Sequence, residues 1–139
     1  MRRVSPREAL ALIENEGYAY LDVRSVPEFE EGHPPGATNV PWLEPAADGM
    51  TRNLNFLAQV AACFGPDAPI VVGCASGVRS LAAAQALEAH GFSRLLEQRA
   101  GMLGVRDPFG RVQERGWRDE GLPVSTERAQ LPHAKKIAT

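Results

Sequence analysis

Residues 70 to 80 read Ile70-Val71-Val72-Gly73-Cys74-Ala75-Ser76-Gly77-Val78-Arg79-Ser80, and an Ala- and Leu-rich run follows from Leu81 to Leu87. The β-branched start predicts a buried parallel strand, and the run after the loop predicts a helix. Cys74 therefore lies where a strand ends and a helix begins, so that free backbone N–H groups and the positive end of the helix dipole surround it. Because Arg79 adds a full positive charge, we expect the Cys74 thiol to ionise readily.

Composition indicates one globular domain. The 139 residues are enough to bury a core without disulfide bonds, and two cysteines, Cys63 and Cys74, make no disulfide framework. A net charge of −2 gives no overall attraction to nucleic acid or to an anionic membrane. Since the sequence shows neither a signal peptide nor an apolar run of about 20 residues, we expect a cytoplasmic protein whose thiols stay reduced.

Helix and strand signals alternate along the chain. Ser5, Pro6 and Glu8 form a capping box, which predicts a helix that reaches about Glu16 and ends at Gly17. Short connections between alternating strands and helices predict a three-layer α/β/α fold around a central, mainly parallel, five-stranded sheet. The five strands are predicted up to residue 4, at 18–23, between the prolines of 34–41, at 70–73 and at 94–97. Longer helices are predicted at 53–64 and from the cysteine loop to about residue 90.

Some segments have weaker patterns. Residues 42–50 contain Pro45 and Gly49 and are predicted to form a loop, residues 27–31 a single helical turn, and residues 112–120 a short helix. The domain is predicted to span residues 1–125. Residues 126–139 contain few apolar groups and are predicted to form a loosely ordered tail.

The spacing within the cysteine loop discriminates between two chemistries. Phosphatases of the tyrosine-phosphatase kind have Cys-x5-Arg, whereas this chain has Cys74-x4-Arg79 and places Ser80 where such a phosphatase has arginine. The shorter loop gives a tighter ring of amides, which suits one bound sulfur atom better than a phosphoryl group. The sequence also offers no evident general acid, which an alkyl phosphate needs and a good leaving group such as sulfite does not.

Three separated motifs resemble the rhodanese family of sulfurtransferases. Residues 74–80 are similar to the active-site loop of that family, residues 20–41 to its upstream signature, and residues 116–123 to its closing segment. Residues 49–74 are similar in particular to single-domain plant and bacterial rhodaneses. The resemblance covers residues 3–125. It departs at Ala100, which replaces the first glycine of the family's Gly-Gly pair, and at residues 106–111, which look like an insertion.

The resemblance implies a two-step transfer of sulfur. The Cys74 thiolate would attack the outer sulfur of a donor such as thiosulfate, expel sulfite and hold the sulfur as a persulfide. An acceptor such as cyanide or a thiol, including a protein thiol, would then remove it. The resemblance implies neither a cofactor nor a metal. The outer sulfur would be stabilised by the backbone amides of the persulfide-binding loop, which comprises Ala75, Ser76, Gly77, Val78, Arg79 and Ser80.

Several side chains near the loop allow two interpretations. Arg79 contacts the anionic donor, or folds back and ties the loop to carbonyls or a carboxylate. Ser76 and Ser80 each offer a hydroxyl to the sulfur, although Ser80 could instead serve the first turn of the helix. The resemblance implies that Asp22 and Arg24, at the end of the preceding strand, support the loop through hydrogen bonds rather than by contacting substrate.

Other polar residues are interpreted mainly as structural. His33, beside two prolines, is predicted to be a turn residue, and Glu28 to lie on a solvated helix face with Glu30 and Glu31. Cys63 is predicted to be a small core residue, with resolution of a Cys74 persulfide as the alternative. No group of His, Cys and carboxylate residues has the spacing of a metal site. Three arginines of the last segment form either an anion-attracting rim or a set of solvated charges: Arg99, Arg106 and Arg111.

Three functions therefore compete. The first is an active sulfurtransferase, which the intact cysteine loop favours. The second is a phosphatase or arsenate reductase, which would need a longer loop. The third is a non-enzymatic module that binds protein or senses sulfur, against which the presence of Cys74 counts. For the first, the small uncharged side chains of Ala75 and Val78 favour thiosulfate over 3-mercaptopyruvate as the donor.

Overall fold

The computed structural model describes residues 1–127, and its helices and strands alternate as the sequence predicts. The elements are β1 (Arg2–Val4), α1 (Pro6–Glu16), β2 (Ala19–Asp22), α2 (Val26–Glu31), β3 (Thr38–Asn39), β4 (Leu43–Ala46), β5 (Gly49–Arg52), α3 (Phe56–Cys63), β6 (Ile70–Gly73), α4 (Val78–Ala89), β7 (Leu95–Gln98), β8 (Val105–Arg106) and β9 (Val112–Glu114).

Five of these strands form the central sheet, in the order β1-β7-β6-β2-β3. Every neighbouring pair in it is parallel. The predicted five-stranded parallel sheet is confirmed, and β6, which leads to the cysteine loop, lies at its centre. Because all five strands run the same way, the carboxyl ends of β2 and β6 meet at one edge, where Asp22 is in register with Gly73.

Alternating side chains of the strands build two separate cores, one on each face of the sheet. Leu21, Ile70 and Val72 pack against α3 and α4, whereas Tyr20 and Val71 pack against residues of α1 and α2 on the other face. Both faces of the sheet are therefore covered, which makes the predicted three layers. The second core also contains Trp117, whose indole N–H donates to the Pro123 carbonyl at 2.7 Å and so fixes the closing segment.

The first helix follows its sequence signals. Ser5 is the N-cap, its hydroxyl accepts from the Glu8 amide at 3.1 Å, and the Glu8 carboxylate accepts from the Ser5 amide at 2.9 Å. Gly17 ends the helix with φ of 72°, in the left-handed region. The capping box and both ends of α1 are confirmed.

The prediction of a loop at residues 42–50 is wrong. This segment contains most of an antiparallel hairpin, in which β4 pairs with β5 from Leu43–Arg52 to Ala46–Gly49. Residues 44–52 are exposed, so the strands show no alternation of apolar and polar side chains, and Pro45 and Gly49 suggested a loop instead. The hairpin is anchored at its base, where the Arg52 guanidinium lies 3.6 Å from the ring centre of Trp42.

The predicted helix at residues 112–120 is also wrong. Val112–Glu114 forms β9, which pairs antiparallel with β8, and turns follow it. Pairing with β8 keeps residues 112–114 extended, and Gly116 then packs so closely on Gly104 that a Cβ on it would lie 2.4 Å from the Gly104 backbone nitrogen. Residues 106–111, which look like an insertion in the sequence, close this hairpin.

The predicted division at residue 125 stays a prediction, and residues 128–139 of the predicted tail lie outside the described residues. Within residues 1–127, no helix has both the length and the apolar character that a membrane span requires.

We predict that Ser5→Ala lowers the free energy of unfolding by about 1 kcal/mol, because it leaves an amide of the first helical turn without its acceptor. Urea denaturation of the wild type and the variant measures the loss. Asn15→Ala is the matched control on the same helix, since Asn15 is exposed, and we expect it to change stability by less than about 0.5 kcal/mol. Equal losses in both variants would contradict the assigned role of the cap.

Candidate active site

The Cys74 sulfur lies inside the loop that follows β6. It accepts hydrogen bonds from the backbone amides of Gly77 at 3.2 Å and Ser80 at 3.3 Å, and it lies 3.2 Å from the Ser80 hydroxyl oxygen. Only 1% of Cys74 is exposed. Two amide dipoles at the start of α4 are therefore directed at one sulfur atom, an arrangement that stabilises negative charge there.

Two glycines allow the chain to turn so tightly around this sulfur. Gly77 has φ of 88°, and a Cβ on it would lie 2.2 Å from the Arg99 carbonyl oxygen. A Cβ on Gly73 would lie 1.8 Å from the Tyr20 hydroxyl. Side chains at these positions would push the loop away from β2 and β7, so the loop conformation depends on glycine at both.

The segment after β7 holds the loop from behind. Met102 and Leu103 donate their amides to the carbonyls of Cys74 and Ala75, both at 2.9 Å. Gly101 makes this approach possible, because a Cβ there would lie 2.3 Å from the Ala75 carbonyl. Ala100 is fully buried and its amide donates to the Gln98 side chain at 2.9 Å. The close contact thus requires only the second glycine of the family's pair, and alanine fits at the first.

Arg79 folds back and ties the loop to α2. Its guanidinium donates to both carboxylate oxygens of Glu28, at 2.8 Å and 3.0 Å. Hydrogen bonds from Arg79 and Ser25 lower the pKa of Glu28 to about 2, and the same bond to Glu28 raises the pKa of Arg79. The structure therefore shows the second of the two interpretations of Arg79. The solvated face predicted for Glu28 is wrong, because a residue 51 positions away pairs with it.

Asp22 and Arg24 make a buried ion pair at the end of β2. Arg24 donates to Asp22 at 2.8 Å and to the Gly32 carbonyl at 2.7 Å. Burial alone would lower the pKa of Arg24, but the hydrogen bonds and charge of Asp22 outweigh burial, and the pKa lies above its usual value. Within residues 1–127, the side chains of this pair form hydrogen bonds with each other and with the Gly32 carbonyl. Among those residues, they form none with the cysteine loop.

Glu97 is a functional candidate that the sequence motifs do not identify. This β7 residue is fully buried, accepts from the Ser80 hydroxyl, and receives the Arg3 guanidinium at 2.5 Å. The available signal was a charged residue inside a predicted buried strand, which requires a partner. Among the described residues, Ser80 is the serine whose hydroxyl contacts the Cys74 sulfur, while Ser76 is exposed.

A cavity of about 690 Å³ opens beside the loop. Ser76, Gly77 and Val78 line one side, and Arg99 and Glu114 line the other. Arg99 donates to the Glu114 carboxylate at 2.9 Å and 2.8 Å, so part of the predicted cationic rim is paired. Arg106 and Arg111 are exposed on the β8–β9 hairpin.

The remaining candidates lie apart from the sulfur. His33 is buried, its Nδ1 lies 2.7 Å from the Phe29 carbonyl, and its ring stacks on Phe29 with 3.6 Å between ring centres. Cys63 is the last residue of α3, and the chain then leads to the start of β6. Cys74 follows the other end of that strand. No group of three or more His, Cys, Asp or Glu side chains within residues 1–127 is arranged to hold a metal ion.

Comparison with known proteins identifies the family. Residues 5–106, which include the whole cysteine loop, match the rhodanese-like domain. The chain belongs to the rhodanese-like family. Thiosulfate sulfurtransferase 16 of Arabidopsis thaliana, a chloroplastic protein, is 42% identical over 78% of this chain and 80% of its own length. Thiosulfate sulfurtransferase 18 of the same plant is 33% identical over 91% of this chain and 85% of its own.

Solved structures share the fold of this chain. Rv0390 of M. tuberculosis superposes with a TM-score of 0.73 at 29% identity, covering 91% of this chain and 98% of its own. A thiosulfate sulfurtransferase from Pseudomonas aeruginosa, at 21% identity, has a TM-score of 0.65 and covers 93% of this chain and 21% of its own, which concerns the fold alone. The predicted rhodanese-like family and fold are thus confirmed.

We predict that Glu28→Gln destabilises the protein above about pH 5 and that this difference disappears in acid. The folded-state pKa of Glu28 is lowered from 4.5 to about 2, so its ion pair contributes stability above the unfolded pKa and loses it as the pH falls through about 2. Urea denaturation at several pH values measures the difference. Glu31→Gln, an exposed neighbour on α2, is the control. A difference between wild type and Glu28→Gln that is constant with pH would contradict this role of the pair.

We predict that Gly101→Ala slows alkylation of Cys74 by iodoacetamide, because the new Cβ would displace the Ala75 carbonyl and with it the loop. Gly110→Ala is the matched control, since Gly110 also has positive φ, 83°, but a Cβ there meets nothing within 4 Å. Backbone strain should cost both variants about 1 kcal/mol or more of unfolding free energy. Equal alkylation rates for the two variants would argue against contact at Gly101 as the support of the loop.

Proposed function

We propose that this rhodanese-like protein transfers a sulfane sulfur from thiosulfate, or a similar donor, to a thiophilic acceptor through a persulfide on Cys74. The observation that carries the proposal is the convergence of two backbone amides, which donate to the Cys74 sulfur at 3.2 Å and 3.3 Å. Relatives named thiosulfate sulfurtransferase, at 33% to 42% identity, support the same conclusion.

The first step is attack of the Cys74 thiolate on the outer sulfur of thiosulfate. A bond forms between the two sulfur atoms, the bond from that outer sulfur to the sulfonate breaks, and sulfite leaves with the electron pair. The negative charge moves from the Cys74 sulfur to the new terminal sulfur. This atom must sit among the loop amides, which are already oriented and therefore stabilise its charge without reorganisation.

The second step returns the thiolate. An acceptor, cyanide or a thiolate, attacks the terminal sulfur, and the electron pair of the broken bond returns to Cys74. Because both leaving groups are stable anions, neither step needs a general acid. The tight loop thus supports transfer of a single sulfur rather than of a phosphoryl group.

Arg79 has an indirect part in this mechanism. Its two hydrogen bonds to Glu28 hold the first turn of α4 against α2, and the amide of Ser80 is part of that turn. The positive charge of the guanidinium also raises the electrostatic potential around the loop, which favours an anion there. Arg79 therefore positions the loop and stabilises an anion in it. Its hydrogen-bond partner is Glu28 rather than the donor.

The proposal also covers the sulfur donor, the acceptor and the cellular location. The small side chains of Ala75 and Val78 favour thiosulfate over 3-mercaptopyruvate, and the acceptor thiol belongs to a small molecule or to a protein. We also propose a cytoplasmic location, where a thiol stays reduced. Fractionation of the cells that make the protein tests the location, with recovery in an organelle as the contrary result.

We predict that thiosulfate adds one sulfur atom to the protein and that tandem mass spectrometry finds it on Cys74. Cys74→Ser should take up no sulfur and should lose turnover with cyanide or thiol acceptors, because no thiolate remains in the loop. Cys63→Ser is the matched control and should take up sulfur as the wild type does, since Cys63 precedes β6 whereas Cys74 follows it.

The same measurements separate the alternatives. Sulfur uptake by Cys74→Ser would contradict the proposed nucleophile, and loss of uptake in Cys63→Ser would assign that residue a part in transfer. A wild type that takes sulfur from neither thiosulfate nor 3-mercaptopyruvate, while iodoacetamide still modifies Cys74, would favour a non-enzymatic module. Hydrolysis of an aryl phosphate that is lost in Cys74→Ser would favour a phosphatase.

A further inference from the structure

Glu97 is a buried carboxylate directly behind the cysteine loop. It is fully buried on β7, in register with Val72 of β6. Removing a carboxylate from water costs several kcal/mol unless charge and hydrogen bonds compensate. Arg3 of β1 supplies the charge, with its Nε 2.5 Å from one carboxylate oxygen, and Ser80 supplies the hydrogen bond at the other.

Ser80 connects this carboxylate to the reacting sulfur. Its hydroxyl oxygen lies 3.2 Å from the Cys74 sulfur and also contacts Glu97, so a single hydroxyl separates thiol and carboxylate. All three side chains are buried. We refer to Cys74, Ser80 and Glu97 as the proton row.

The hydroxyl has only one proton, so its orientation depends on Glu97. While Glu97 is ionised, the hydroxyl donates to it and turns a lone pair toward Cys74, which can then donate its own S–H. When Glu97 is protonated, it donates to Ser80, and the Ser80 hydroxyl donates to a Cys74 thiolate. The first arrangement suits the thiol, and the second suits the thiolate.

We propose that Glu97 holds the proton that Cys74 gives up, with the Ser80 hydroxyl as the link between them. In this step the Cys74 S–H bond breaks and its proton joins the Ser80 oxygen, while the Ser80 hydroxyl proton moves to Glu97. The thiolate keeps the electron pair, and the charge of the row stays at one negative unit. Glu97 acts through Ser80 and is therefore a positioning residue. The inference rests on the proposed function only for the identity of the nucleophile.

Burial favours this internal transfer over loss of the proton to solvent. Two anions separated by one hydroxyl in a buried site repel each other strongly, so a row with one negative charge is favoured over a row with two. The thiolate thus forms without adding a buried charge.

The other ionisable groups around the row have partners of their own. Arg79 of α4 binds Glu28, and Asp22 of β2 binds Arg24. The Tyr20 hydroxyl of β2 accepts from Gln98 at 3.3 Å, and burial raises the pKa of Tyr20, so it stays neutral. Within residues 1–127, Glu97 is the titratable side chain joined to Cys74 through one hydroxyl.

The test is the pH profile of Cys74 alkylation by iodoacetamide, which needs neither sulfur donor nor acceptor. For the wild type we expect the alkylation rate to rise with pH in two steps. The first step, in acid, is loss of the first of the row's two protons, and the second, in alkali, is loss of the other. For Glu97→Gln we expect loss of the acid step, because a glutamine amide cannot take up the proton.

Two further variants make the result decisive. Ser80→Ala keeps the carboxylate but removes the link, so it should also lose the acid step; if Glu97→Gln does not fold, as judged by circular dichroism, this variant decides alone. Glu120→Gln is the matched control, because Glu120 also accepts from an arginine, Arg7, but outside the row. It should keep both steps.

The outcomes separate this inference from the proposed function. A wild type with one step, or a Glu97→Gln or Ser80→Ala profile that keeps both steps, overturns the proton row. A wild type with two steps that takes no sulfur from thiosulfate leaves the row intact and removes the proposed function. A wild type that forms the Cys74 persulfide but shows one step removes the row alone.

Discussion

The direction of two backbone amides toward one sulfur atom is the constraint on which the rest of this site depends. The chain must leave β6 at a glycine packed against Tyr20, turn around Cys74, and enter α4 at Gly77 with positive φ. Within this turn, the Ser80 hydroxyl oxygen also lies 3.2 Å from the sulfur. Its neighbours hold it from three directions: Glu28 through Arg79, the amides after β7, and Arg3 at the Gly77 carbonyl at 3.3 Å.

Features set by short-range signals were predictable from the sequence. The capping box of α1 needs only residues 5 to 8, and the strand, loop and helix around Cys74 follow from a continuous run. The parallel direction of the strands also follows, because strands that alternate with helices along the chain pair in parallel. The four residues between Cys74 and Arg79 predict a tight loop, and in the structure the Gly77 and Ser80 amides both donate to the Cys74 sulfur.

Features set by distant partners were not predictable in this way. The exposed β4–β5 hairpin has no buried face to produce alternation, and residues 112–114 pair with β8 instead of starting a helix. Glu28 has the sequence context of a solvated residue, and its partner lies 51 positions away. Glu97 did carry a signal, a charge in a buried strand, but the identity of its partners depends on how β1 and α4 pack.

The position of Arg3 ties the chemistry of the thiol to completion of the fold. This residue lies 94 positions before Glu97, and the two meet only when β1 adds to the edge of the sheet beside β7. During synthesis, the ribosome makes Arg3 long before the strand that will hold its partner. The ion pair behind the cysteine loop therefore cannot form until β7 has been synthesised and has paired with β1. Reactivity at this cysteine is in that sense a property of the closed domain rather than of the loop.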